Sequence, residues 1–380
     1  MSSRVVRAIV IGAGIGGLAT GIALRRAGLQ VNVFERAGEL NEVGAGISLW
    51  ANALHALDRL GVGPAIAAAS DAYEAAGLRS WDGRTIVNIS FDDLQRTVGV
   101  VCVVMHRAEL QSVLLSALGR ETVSLNAHCE HVQQDGDGVE AQFADGRCVR
   151  GDGLIGADGL YSVVRSALHG PEPPRYSGYT AWRAVVPFDA RGVHASESWG
   201  YGARFGIVPM SMNRVYWFAT ENTAEGGRHA NEKAALTDLF GRWHSPITSL
   251  IEATPALDIL RHDIYDRPVL RTWGAGRITL LGDAAHPMTP NLGQGACQAL
   301  EDAVVLAQCL TGQPDVVAAL RSYETRRIPR ANSLVSRSRH VGTIGQLESR
   351  AAVRLRDALF SRLSPRLQAY QLARVIGYRV

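Results

Sequence analysis

The sequence predicts an α/β protein in which a Rossmann-like domain is interleaved with a mixed β-sheet domain and followed by C-terminal helices. Three features of the chain carry that prediction. A buried strand, a glycine-rich turn, a helix and a second strand succeed one another by residue 35. Strands rich in aromatic and β-branched residues fill 179–269, and a strand resembling the first returns only after them, from 276. Two parts of one α/β unit therefore flank an insert of different character. The first domain is placed at 1–74, 98–178 and 270–330, the insert domain at 75–97 and 179–269, and a C-terminal helical segment at 331–380.

Each element reads from its local pattern. Residues 4–11 (RVVRAIVI) are apolar apart from Arg4 and Arg7, as in a strand covered on both faces. GAGIGG follows, and LATGIALRRAG then shows helical spacing and closes on Gly28. QVNVFE (30–35) alternates like a strand, HRAELQSVLLSALG (106–119) reads as a helix, and 131–159 holds short strands joined by Asp-Gly turns. In the insert, YTAWRAVVPF, RFGIVPM and RVYWFAT are strands, and EKAALTDLFGRW is helical. A long helix is expected from about Gly295, and the tail from Asn332 is Arg-rich and helix-like.

Composition narrows the function. The 380 residues carry a net charge of +3 with no run of like charge, so no nucleic-acid partner is expected. Of the 39 basic residues only Lys233 is a lysine, which excludes a Gly-Lys-Ser/Thr phosphate loop. Schiff-base chemistry would have to run through Lys233, which is expected on a solvated helix face. Five scattered cysteines imply no disulfide framework, and no signal peptide or membrane-length apolar run is seen. A cytoplasmic protein with no membrane partner is the expectation. No metal site is expected either, since His128 and His131 fall on opposite faces of a strand.

Gly12, Gly14 and Gly17 form Gly-x-Gly-x-x-Gly around Ile15, between a strand and a helix, and Glu35 ends the second strand 23 residues after Gly12. Such glycines permit a tight turn, close backbone approach to a pyrophosphate and close helix packing, while the carboxylate accepts from ribose hydroxyls. An ADP-containing dinucleotide is expected there, and both NAD and FAD fit that half-site. Farther on, Asp283 follows a strand and suits a sugar-alcohol hydroxyl as well as a turn cap. Pro290, Gly293 and Gly295 make a rigid, close-approach loop before a helix N-terminus suited to negative charge. Between the two lies Asp158-Gly159, at a strand-to-helix turn.

These three elements, in this order, resemble the aromatic-hydroxylase family of single-component FAD monooxygenases, over essentially residues 4–330. The resemblance implies that the first motif binds the ADP half of FAD and that Asp283 holds the ribityl chain. It links the Asp158 segment to both FAD and NAD(P)H. Arg107 matches a family arginine near the FAD phosphate and ribityl region. Gly44, Ala45, Gly46 and Ile47 match the loop that approaches the isoalloxazine, and Gly293, Gln294, Gly295 and Ala296 match the opposite wall. The implied reaction is hydride transfer from NAD(P)H to FAD, formation of a flavin hydroperoxide with O2, and oxygen transfer to a small aromatic or N-heterocyclic substrate. A same-fold oxidative decarboxylase or epoxidase, or a non-catalytic FAD-binding protein, remains as the alternative.

Arg204 and Tyr216 are the polar substrate candidates, as anion anchor and as phenol donor or base. Their spacing resembles the urate-hydroxylase branch, which has an aspartate where this chain has Asn291. Arg183, Phe205, Met210 and Trp217 are expected as neighbours, and His286 is assigned to packing or hydrogen bonding. With lysine nearly absent, Arg36, Arg107 and Arg204 are expected to carry cationic recognition. A monomer or homodimer is expected.

Overall fold

The structure, a computed structural model, describes residues 6–40, 45–72 and 75–380. Its first layer is a five-stranded parallel sheet, in spatial order Ile278–Leu280, Gly153–Gly156, Arg7–Ile11, Gln30–Phe34 and Val123–Ser124. The strand Arg7–Ile11 starts later than the apolar run suggests, at an exposed arginine; Arg4 and Val5 lie outside the described residues. Its position inside the sheet explains why Ala8 through Ile11 are all buried and apolar rather than alternating.

The chain leaves this strand through Gly12, at φ +101°, and enters the helix Ile15–Arg26. Two glycines are required sterically. A Cβ on Gly12 would lie 2.4 Å from the Ala157 carbonyl oxygen, and one on Gly17 only 1.8 Å from the Gly12 oxygen. The helix then packs against a second one, Gly295–Gly312, whose buried side runs along the same core. At 106–119 the helix proper is Arg107–Leu118, with His106 as its N-cap and Glu109 completing the capping box.

The second layer is a seven-stranded sheet in the order Leu260–Asp266, Arg175–Pro187, Arg214–Asn222, Ala203–Met210, Ser196–Trp199, Ala75–Ser80 and Thr85–Ser90. It is mixed because Ser196–Trp199 runs parallel to Ala75–Ser80 while the other pairs are antiparallel. Alternation gives the sheet two unlike faces. Trp182, Phe205, Ile207 and Trp217 point to the helices Glu232–Phe240 and Ile247–Ala253 and form a separate core. There Phe205 stacks on Trp217 at 5.3 Å and meets Phe240 edge-on. Each such aromatic, when fully buried, contributes on the order of 2–3 kcal/mol. Lys233 is half-buried, and its ammonium donates to the Glu252 and Thr254 carbonyls at the C-terminus of Ile247–Ala253, where a cation is favoured.

A 30-residue helix, Val316–Gly345, runs without a break through 330–331, where the sequence suggested a boundary. Its first half packs on the parallel sheet through Leu320 and Tyr323. Its second half reaches the mixed sheet, where Arg339 pairs with Asp266. Two shorter helices, Arg350–Phe360 and Pro365–Ile376, close the chain. No helix among the described residues is long and apolar enough to cross a membrane.

Candidate active site

A cavity of about 410 Å³ lies between the two layers. One end is walled by backbone. Gly14 and Ile15 line it, and nothing lies within 4 Å of where a Gly14 Cβ would stand. The helix that follows carries no acidic residue in its first turn and no side-chain cap, so its N–H groups face the cavity's charge requirement directly. Gly12 and Gly17 do not reach the wall; they set the turn that presents Gly14. Glu35 accepts from the amides of Ala13 and Ala37, at 2.8 and 2.9 Å, bracing the same turn. Arg36 stands exposed beside it and is not part of the lining.

Midway, Arg107, Gly46 and Ile47 form one wall and Asp283, Pro290, Gly293, Gly295 and Ala296 the other; Gly44 lies outside the described residues. Among the described residues no hydrogen bond reaches the Asp283 carboxylate, which opens onto the cavity. Crowding by protein atoms raises its pKa, while His286 and Arg107 pull it down. Gly295 starts the helix Gly295–Gly312, again with no acidic residue in the first turn and no side-chain cap. Gln294, expected on this wall, turns inward instead and accepts from Asn52 at 3.0 Å. Asp158 also turns away: its carboxylate accepts from Ser162 and from the amides of Val163 and Val164 at the start of the helix Val163–His169. Its neighbours Ala157 and Gly159 line the cavity in its place.

The mixed sheet roofs the far end. Arg204 and Thr220 pair across strands, as do Val208 and Tyr216, and all four line the cavity with Ala181, Arg183 and Phe218. Phe205 and Trp217, expected beside the substrate, are on the opposite face because each is one residue out of phase with a lining residue. Met210 is in phase but is not part of the lining. The two roof arginines differ. Arg204 is 2% exposed and donates from every nitrogen: Nε to Gln346 at 2.6 Å, Nη1 to Glu197 at 3.1 Å, Nη2 to Asn291 at 2.8 Å. The Arg183 guanidinium has no hydrogen-bond or ion-pair partner among the described residues. The Tyr216 phenol likewise has no hydrogen bond among them. Burial raises its pKa, with Arg183 and Arg107 acting the other way, so it is protonated at neutral pH.

The FAD-binding-domain family matches residues 5–338 of this chain. The chain belongs to the aromatic-hydroxylase family of FAD monooxygenases. Aurachin C monooxygenase/isomerase from Stigmatella aurantiaca is 46% identical over 359 residues, 94% of each protein. FAD-dependent urate hydroxylase from Klebsiella pneumoniae is 35% identical, covering 88% of this chain and 89% of that protein. The solved structure of Klebsiella pneumoniae HpxO with FAD and uric acid superposes with a TM-score of 0.92 at 32% identity, covering 98% of this chain and 96% of that one. The residues present fit FAD: an open backbone cradle at Gly14, an Asp283 carboxylate without a hydrogen bond among the described residues, and two helix N-termini with no acid in the first turn.

Sequence reasoning missed what holds the FAD monooxygenase cavity in place. Behind the helix Gly295–Gly312, Arg327 is fully buried and pairs with Glu301 and Asp302. Glu301 also takes Arg330 and Asn52, and Asp302 takes His286 at 2.6 Å. Burial opposes the charge on Asp302, but His286 and Arg327 outweigh it and hold its carboxyl down to about 2. The dipeptide Glu301-Asp302 in mid-helix among apolar residues was the available signal, because two acids there need buried cations. Glu197 and Gln346 gave none: each meets Arg204 only through tertiary structure.

Proposed function

We propose that this chain is a monooxygenase that uses NAD(P)H and O2 to hydroxylate a small, uncharged heteroaromatic ring bearing a hydroxyl or oxo group. The observation that carries the reading is the continuity of the cavity from Gly14 and Asp283 to Tyr216 and Arg204. Bound FAD would supply the activation of O2 and the oxygen atom transferred.

The chain's own residues do the rest. Gly14 and the N-terminus of Ile15–Arg26 would hold the pyrophosphate, Asp283 would accept from ribityl hydroxyls, and Gly295 with Ala296 would face the isoalloxazine edge. Tyr216, protonated at neutral pH, would donate to the substrate oxygen rather than act as a base. Arg183 supplies positive charge to the same face, favouring negative charge on that oxygen and so a more electron-rich ring. Arg204 already has a carboxylate partner, Glu197, which argues against a substrate carboxylate as its principal ligand and in favour of an uncharged ring. The roof excludes water from the reacting face. Unpaired cysteines throughout the chain support a cytoplasmic setting.

The test is substrate-stimulated NAD(P)H oxidation across a panel of hydroxy- and oxo-quinolines, hydroxypyridines, urate, hydroxybenzoates and aurachin C. Mass spectrometry should show one added oxygen with an uncharged heterocycle. Turnover confined to carboxylated benzenes would refute the substrate class; no stimulation by any ring would refute the reading altogether.

A further inference from the structure

The two C-terminal helices carry a surface that the cavity does not use. Residues 350–380 hold seven arginines against one acid, Asp357, a net +6 where the whole chain carries +3, which leaves the remainder at −3. Arg356 and Asp357 are buried and pair with each other, so the excess belongs to Arg350, Arg354, Arg362, Arg366, Arg374 and Arg379. All six are exposed, and none meets a carboxylate among the described residues.

The same helices also expose apolar side chains in register. Leu355 and Leu359 are one turn apart at 61% and 55% exposure, and Leu363, Leu367 and Tyr370 continue the run through the connecting turn into the last helix. These are not misplaced core residues. Pro365–Ile376 already packs its other side, through Ile376 and Leu372, on Phe91, Leu94 and Val98. Arg350–Phe360 is held by Val353 and by Phe360 and Arg356 on Trp199. Each helix has one satisfied apolar side and a second apolar stripe facing solvent between arginines.

We propose that this surface docks on an anionic lipid bilayer, with the leucines and Tyr370 at the headgroup–acyl boundary and the arginines on lipid phosphates. Amphipathic helices lying in the interface have this composition: apolar side chains on one stripe, cations beside it. Guanidinium groups match phosphate oxygens with planar, paired donors and keep their heads in the headgroup layer while their stems lie on apolar surface. Charge argues against a second copy as the occupant, because a two-fold contact would set each +6 surface against its own image. This is surface docking, not a membrane span, and it departs from the sequence-based expectation of no membrane partner.

The test uses the full FAD-loaded chain with vesicles of phosphatidylcholine alone or mixed with phosphatidylglycerol, read by co-sedimentation. Binding to the anionic vesicles should be at least about tenfold tighter than to the neutral ones and should weaken with salt. Leu355→Ser/Leu359→Ser/Leu367→Ser should lose about tenfold or more of that binding. So should Arg354→Gln/Arg366→Gln, with flavin content, melting temperature and NAD(P)H oxidation unchanged in both. Equal affinity for the two vesicles, or none, would overturn the proposal. So would anionic binding that the leucine variant leaves intact, which is the behaviour of a site for soluble polyanions. A solution dimer dissolved by the leucine variant, without vesicle binding, would assign the surface to self-association instead.

Discussion

The two ends of the cavity are built on different principles. The Gly14 end is made of consecutive residues whose backbone geometry is dictated locally, from Gly12 to Gly17 and from Gly282 to Ala296. The roof end is made of side chains brought together from distant parts of the chain: Arg204 meets Gln346 across 142 positions and Asn291 across 87. The first kind of site tolerates almost no change in backbone but asks little of its neighbours. The second tolerates backbone variation and depends on every partner staying matched. A family with one cofactor and many substrates is what such a division permits.

Substitutions at the cofactor end should therefore be the most damaging. Gly17→Ala puts a methyl group 1.8 Å from a carbonyl oxygen of the same turn, and that turn cannot move without losing the pyrophosphate cradle. The variant is expected to purify without yellow flavin and to lose ~3 kcal/mol or more of stability. Absorbance at the flavin band and a denaturant melt would check both, and full FAD occupancy would show that the turn is softer than its geometry implies.

Next in size is the buried network behind the wall. Arg327→Met leaves Glu301 and Asp302 without their shared cation in a site where all three side chains are fully buried, and a loss of ~3–5 kcal/mol is expected. The wild-type pH dependence has a definite sign. Asp302 sits at about 2 against an ordinary 3.8, so its contribution is fully present above 3.8 and is lost as pH falls through about 2. Acid melts of the wild type should show this loss; in the variant the slope between those values should flatten.

The roof arginines offer the sharpest contrast. Arg204→Gln removes a buried cation and leaves Glu197 with the Trp199 indole but no ion-pair partner, so it should cost ~2–3 kcal/mol of stability as well as substrate affinity. Arg183→Gln removes a cation with no partner among the described residues, so melting should change little while kcat/KM falls by ~10-fold or more. Equal stability losses in both would mean that the distinction between a structural and a substrate-facing arginine is wrong.

How much of this was legible in the sequence follows the same division. The turn at 12–17, the carboxylate of Asp283 and the interleaved sheet could be read because turn chemistry and strand alternation act over a few residues. Alternation also held the information that Phe205 could not share a face with Arg204, and that reading required only the strand's period. The resemblance links the Asp158 segment to FAD and NAD(P)H; the Asp158 carboxylate caps a helix while Ala157 and Gly159 line the cavity, and an aspartate before a helix serves either role, so only the fold shows which. The Glu301-Asp302 pair signalled a need for buried cations without naming Arg327, 25 or more positions away, and Glu197 meets Arg204 only through the register of two adjacent strands.

Gln346 is the extreme of that second group, and it gives the smallest and most discriminating prediction. It caps the 30-residue helix that spans both layers, and its Oε1 accepts from Arg204 and from Thr220. Its Nε2 donates to Asn222 and to the Gly202 carbonyl. Gln346→Ala removes the shared acceptor but leaves Arg204 its bonds to Glu197 and Asn291, so a stability loss of only ~1–2 kcal/mol is expected. Freed at Nε, the guanidinium should still occupy the roof but be held less rigidly, raising KM a few-fold with kcat and flavin content nearly unchanged. The double variant with Arg204→Gln should then add little beyond Arg204→Gln alone, because the amide acts through the arginine. Full additivity would show instead that Gln346 supports the roof through Thr220 and Asn222, and that the long helix positions the sheet rather than the arginine.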